Sequence, residues 1–172
     1  MKKLFGLKDL LKEQVRDLYD AETQYAAMLP TLARVATSGA LKDFVKASLE
    51  KTQDNASRLA QVCDLLGVPA TGVTCYAMDG LVREAKDTSS DWGDTATIDA
   101  SVISNAQRIA HYEIAGFGTA RAFALCLAEK EAAALLDTML TQASENDKAL
   151  TRIATGGWFS SGINHEAAKV CA

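Results

Sequence analysis

The chain has 172 residues, 48% of them hydrophobic and 23% charged, which fills one globular core and excludes a disordered tail. Its 18 basic and 22 acidic residues leave a net charge of -4 with no run of about five like charges, so neither nucleic acid nor a membrane surface is expected as a partner. Only 6% of residues are aromatic and 2 are proline, whereas alanine, leucine, lysine and glutamate abound, so an all-α fold is expected.

Apolar residues spaced three and four apart mark helices, and four long stripes are present. The first runs Leu11, Val15, Leu18, Glu22, Tyr25, Leu29, Leu32 and stops at Thr37-Ser38-Gly39, where the glycine suits a helix C-terminus. The second follows after this short turn, as Leu41, Val45, Ser48, Thr52, Asn55, Leu59, Val62 and Leu66, and Gly67-Val68-Pro69 closes it. Pro69, Gly72, Gly80, Gly93 and the polar run Thr88 to Asp91 then interrupt the pattern, with room for a short helix from Cys75 to Lys86. The third stripe is Ile98, Val102, Ile109, Glu113, Gly116, Ala120, Leu127, and a break at Glu129-Lys130 leads into the fourth, from Ala132 through Leu136, Met139, Ala143 and Leu150 to Ile153. Gly156-Gly157 ends it. Residues 1–155 therefore read as one bundle and residues 156–172 as an unpatterned tail carrying Trp158 and Phe159.

Two hairpins joined by a long connector constrain the topology. A helix of about 26 residues is roughly 40 Å long, and the connector can span it, so the second and third long helices can run parallel. That is the single-crossover arrangement of ferritin-like bundles.

Glu22 and Glu113 stand where packing alone would ask for leucine. A carboxylate in a bundle core needs a cation, donors or a proton to compensate it. Facing glutamates from different helices are what di-iron and di-manganese sites use. Asp147 lies near the stripe of the fourth long helix and is a third candidate ligand. The competing reading places either glutamate at a stripe edge, reaching solvent or an arginine. His111 points away from Glu113 and, like Glu50, is read as a surface residue; His165 falls in the tail. Gly116 and Gly118 are read as permitting close helix packing. Cys63, Cys75, Cys126 and Cys171 form no C-x-x-C and are read as buried free thiols.

The segments Leu18-Tyr19-Asp20-Ala21-Glu22, Leu41-Lys42-Asp43-Phe44, Cys75 to Leu81 and His111-Tyr112-Glu113-Ile114-Ala115-Gly116-Phe117-Gly118-Thr119 resemble the bacterial ferritin-like stress-protein family typified by YciF and YciE. The resemblance implies a ferritin-like four-helix bundle, a homodimer and a di-metal site. Against the family pattern, Glu50-Lys51 replaces two consecutive glutamates, Asn55 stands where histidine or glutamine is common, and Thr141-Gln142-Ala143-Ser144 replaces an acidic run. The inward set is then Glu22, Lys51, Asn55, Glu113, Ala143 and Asp147, a depleted site in which the Lys51 ammonium stands in for a cation.

The leading expectation is a non-enzymatic stress-response protein with no cofactor, or a weakly held iron or manganese, acting through its surface, its dimer and a protein partner. The alternative is a di-iron or di-manganese oxidoreductase acting on peroxide or dioxygen. No stretch reaches the roughly 18 apolar residues of a spanning helix, and the opening MKKLFGLKDLLKEQ lacks a signal-peptide pattern; a cytoplasmic location is expected.

Overall fold

The period of three to four residues resolves into five helices of more than ten residues in the computed structural model, which describes residues 4–157 and 160–171. They are α1 (Leu7–Val35), α2 (Gly39–Leu65), α3 (Tyr76–Thr88), α4 (Thr95–Cys126) and α5 (Lys130–Thr155). A two-residue ladder, β1 (Gly156–Gly157) with β2 (Ser160–Ser161), then leads into α6 (Ile163–Ala168) and a 3-10 turn at Lys169–Cys171. No helix among the described residues is long and apolar enough to cross a membrane.

α1 and α2 form one antiparallel hairpin, α4 and α5 the other. Lys8 pairs with Glu129 and Thr37 with Asp99, so α1 runs antiparallel to α4 as well. α2 and α4 are therefore parallel, joined by the crossover that carries α3, and the result is an all-α four-helix bundle with one long crossover.

Local chemistry sets the helix ends. Asp94 caps α4 by accepting from the Thr97 amide at 2.8 Å. At α3 the cap is a thiol: Cys75 Sγ accepts from the Met78 amide at 3.4 Å. The Gly39 expected to close α1 instead opens α2. The corner between them is held by a residue about 60 positions away, because the Asp99 carboxylate accepts from the Thr37 and Ser38 amides, each at 2.7 Å, and from the Thr37 hydroxyl at 2.8 Å.

Gly116 lets α1 and α4 approach closely: a Cβ there would stand 2.5 Å from Cδ2 of the fully buried Leu18. Gly118 has no such role, since its Cβ would meet Leu140 at an ordinary 3.8 Å. Cys63 and Cys75 are buried free thiols, but Cys126 is exposed, a departure from the expectation for all four cysteines; the Cys171 side chain lies outside the described residues.

The tail is more ordered than its lack of pattern suggests. α6 packs on α4 and α5, and Ile163 is buried. Gly162 makes the return possible, because a Cβ there would collide with the backbone at Ala154 to Gly156. Trp158 and Phe159, the aromatic pair of the tail, lie outside the described residues.

Candidate functional site

The core has two apolar clusters rather than one. One gathers Leu11, Val15 and Leu18 with Leu59, Phe117, Leu136 and Met139. The other gathers Tyr25, Leu29 and Leu32 with Val45, Val102, Ile109 and Leu150. Between them, Glu22 of α1, Asn55 of α2 and Glu113 of α4 are 0%, 4% and 3% exposed.

These three side chains form one network. Asn55 Nδ2 donates to Glu22 Oε2 at 3.3 Å, and the Glu22 and Glu113 carboxyls lie close enough to share a proton. Burial is the main force on both acids and raises both, Glu113 to about 7, while the neighbouring Glu113 carboxyl pushes Glu22 further up. The dyad titrates as a unit and holds a proton near neutrality. Tyr25 is buried beside it, and burial together with the two carboxyls keeps its phenol protonated. Glu22 Oε1 and Asn55 Oδ1 are buried and lack any hydrogen-bond partner.

Two members of the expected inward set lie elsewhere. Lys51 is half-buried and donates through Nζ to Asn146 Oδ1 at 3.1 Å, in a groove with Phe44 and Arg152 between α2 and α5. Its long stem carries the ammonium out of the core, so it does not stand in for a cation beside Glu22. Asp147 turns to the flank of α4, where Gln107 Nε2 donates to its Oδ1 at 3.1 Å and His111 Nε2 lies 3.3 Å away. Ala143 is buried at the core face of α5 and supplies no ligand. His111, Glu50 and His165 are exposed, as spacing indicated for the first two.

The donor set therefore does not fit a two-metal centre. Such centres in bundles draw on four carboxylates and two histidines, whereas the layer offers two carboxyls and one amide. No group of three His, Cys, Asp or Glu side chains suited to a metal is assembled among the described residues.

A second network went unread in the sequence. Tyr112 Oη donates to Asp17 Oδ2 at 2.7 Å and lies 2.9 Å from Cys75 Sγ. Asp20 accepts from the Cys75 amide at 2.8 Å, and Gln24 donates to the Cys75 carbonyl at 3.2 Å. Burial raises the Cys75 thiol and the Tyr112 phenol, leaving both protonated. The network fastens the start of α3 to α1 and α4. The sequence signal was Asp17, Asp20 and Gln24, spaced three and four apart along one edge of α1.

Comparisons with known proteins agree with this architecture. The family described as "Domain of unknown function (DUF892)" matches residues 6–168. Protein YciF of Escherichia coli strain K12 is 32% identical over 149 residues, covering 86% of this chain and 90% of that protein. The crystal structure of this E. coli stress protein superposes with a TM-score of 0.83, covering 86% of this chain and 94% of that one. YcfI of Rhodopseudomonas palustris is 36% identical, with a TM-score of 0.85 and coverage of 89% and 98%. A protein of Xanthomonas campestris pv. campestris, 19% identical with a TM-score of 0.69, shares the fold over 97% of this chain and 95% of its own.

Proposed function

The chain belongs to the DUF892 family and is a homologue of the stress protein YciF, and we propose that it is a cytoplasmic, ferritin-like stress-response protein whose interior site holds a proton where a two-metal centre would need more ligands. The observation that carries this reading is the composition of the polar layer: Glu22 and Glu113 are buried against each other with Asn55 as their donor. A di-metal oxidoreductase acting on peroxide or dioxygen would need two metals in this layer, and the layer supplies too few groups to hold them. The protein then acts through its surface and its oligomeric state. Leu4 and Phe5 just before α1, Leu10 in its first turn and Leu125 at the end of α4 are exposed at one end of the bundle, which favours a homodimer or a protein partner there.

One observation favours a second reading, a single weakly held iron or manganese ion. Glu22 Oε1 and Asn55 Oδ1 are oxygens without donors, and a hard cation would satisfy both. Metal analysis of protein purified from iron- and manganese-supplemented cells tests both readings. Absence of metal supports the proton-holding site. A substoichiometric, chelator-labile ion supports the second reading, and two tightly held equivalents per chain overturn both in favour of a di-metal oxidoreductase.

A further inference from the structure

α6 converts the outer face of the α4–α5 hairpin into a groove of about 510 Å³, within the size range of small-molecule sites. Its floor is apolar: Ile103 and Ala154 are 2% and 5% exposed. Its rim is polar, with Gln107, Arg108 and His111 from α4 on one side and Asn164 from α6 on the other. Among the described residues no acidic side chain lines it, although the chain as a whole is acidic.

The rim is held in place from outside the groove. Arg108 Nη1 donates to Asn105 Oδ1 at 3.2 Å and pairs with Glu84 at 3.1 Å. Asn105 is itself buried and donates to Thr88 Oγ1 at 2.7 Å, so the guanidinium is tied to the α3–α4 contact through one nitrogen. Its remaining nitrogens have no partner among the described residues. Arg108 and Glu84 are 56% and 63% exposed, so solvent screens their pairing. Gln107 and His111 are likewise fixed, both by Asp147, which does not line the groove.

We infer that this groove binds a small amphipathic monocarboxylate, its apolar body on Ile103 and Ala154 and its carboxylate on the free edge of Arg108. A planar guanidinium already oriented by other bonds meets a carboxylate with little further loss of freedom, and an apolar floor beside it selects an anion with an apolar body over a bare ion. Because Asn164 completes the far wall, the site exists only while α6 is docked. The inference is independent of the buried carboxyl pair.

Titration of the ¹⁵N-labelled full chain with hexanoate, and in parallel with neutral hexanamide, tests it. Hexanoate is expected to give saturable amide shifts confined to residues 100–111, Ala154 and Asn164, with hexanamide about tenfold weaker or worse. Arg108→Gln should weaken hexanoate about tenfold, and Asn164→Trp, which fills the groove, should abolish the shifts. Equal affinity for the amide, shifts centred elsewhere, absence of saturation, or unchanged hexanoate affinity in folded Arg108→Gln would each overturn it. The hexanoate and hexanamide comparison uses the unaltered chain and decides the matter even where a variant fails to fold.

Discussion

Glu22 of α1 faces Glu113 of α4, close enough to share a proton, at the level where the two apolar clusters of the core separate. Both folded-state pKa values lie above the ordinary 4.5, so the folded chain binds a proton more tightly than the unfolded chain. The resulting stabilisation is complete below about pH 4.5 and is lost as the pH rises through the folded-state value, about 7 for Glu113. Glu113→Gln keeps a neutral hydrogen-bonding partner for Glu22 and removes one titration. It is expected to be more stable than the parent at pH 8, by about 1–3 kcal/mol, and to show a flatter dependence of stability on pH between 5 and 8. Urea unfolding at pH 5 and pH 8 measures this, and parallel curves for the two proteins would count against a shared proton.

Lys51 gives the converse case. Its ammonium bonds Asn146 rather than either glutamate, so Lys51→Leu removes a partly exposed hydrogen bond and no compensating charge. A stability change within about 0.5 kcal/mol is expected, with the pH dependence of the parent retained. A steeper loss at pH 8 than at pH 5 would return the ammonium to the core.

The difference between Glu22 and Lys51 shows what a helical period reveals. Spacing fixes the direction in which Cα–Cβ leaves the helix axis, and an acid in the middle of an apolar stripe, such as Glu22 or Glu113, has nowhere else to go. Lys51 and Asp147 sit one turn from Asn55 and Ala143, about 40° from the inward direction, where the side chain itself chooses its partner. The lysine stem reaches α5, and the shorter aspartate turns to Gln107 and His111. All four bundle helices begin within a few residues of their stripes. The α1–α2 corner misled because its cap comes from Asp99 on α4, a long-range contact that local spacing does not contain. α6, six residues long, is too short to show a period.

That same corner yields a third expectation. Asp99 is 2% exposed and accepts three hydrogen bonds from Thr37 and Ser38. Asp99→Ala leaves the Thr37 and Ser38 amides, at a part-buried corner, without their acceptor and should cost about 1–2 kcal/mol. Asp99→Asn retains one acceptor oxygen and should lose less. Equal stability of all three proteins in thermal unfolding would show that water caps the corner unaided.

Two glycines on one helix should respond with opposite signs. At Gly116 an added methyl meets Leu18, which is fully buried and cannot withdraw, so Gly116→Ala should cost about 1–3 kcal/mol. At Gly118 the methyl finds ordinary contact with Leu140, and alanine is the better helix former, so Gly118→Ala should stabilise by up to about 1 kcal/mol. Chemical denaturation of both variants checks the pair, and destabilisation at Gly118 would mean α4 and α5 are packed more tightly there than this geometry shows.

The depleted layer can also be refilled by design. Ala143 is buried at the core face of α5 and Asn55 already touches Glu22. The double change Asn55→His and Ala143→Glu therefore adds an imidazole and a third carboxylate to the two present, without involving Lys51, whose head lies outside the layer. Without metal the variant buries an extra acid and should be less stable than the parent, most of all at high pH, because the added carboxylate must either stay protonated or be buried charged. With Mn(II) at about 100 times its dissociation constant, mass action returns about 2.7 kcal/mol, which corresponds to a rise in Tm of roughly 5–10 °C for a domain of this size. The parent should show no comparable rise. A parent whose Tm climbs with Mn(II) as steeply as that of the double variant would mean that Glu22, Glu113 and Asn55 already suffice to hold the ion, and the proton-holding reading of the layer would be wrong.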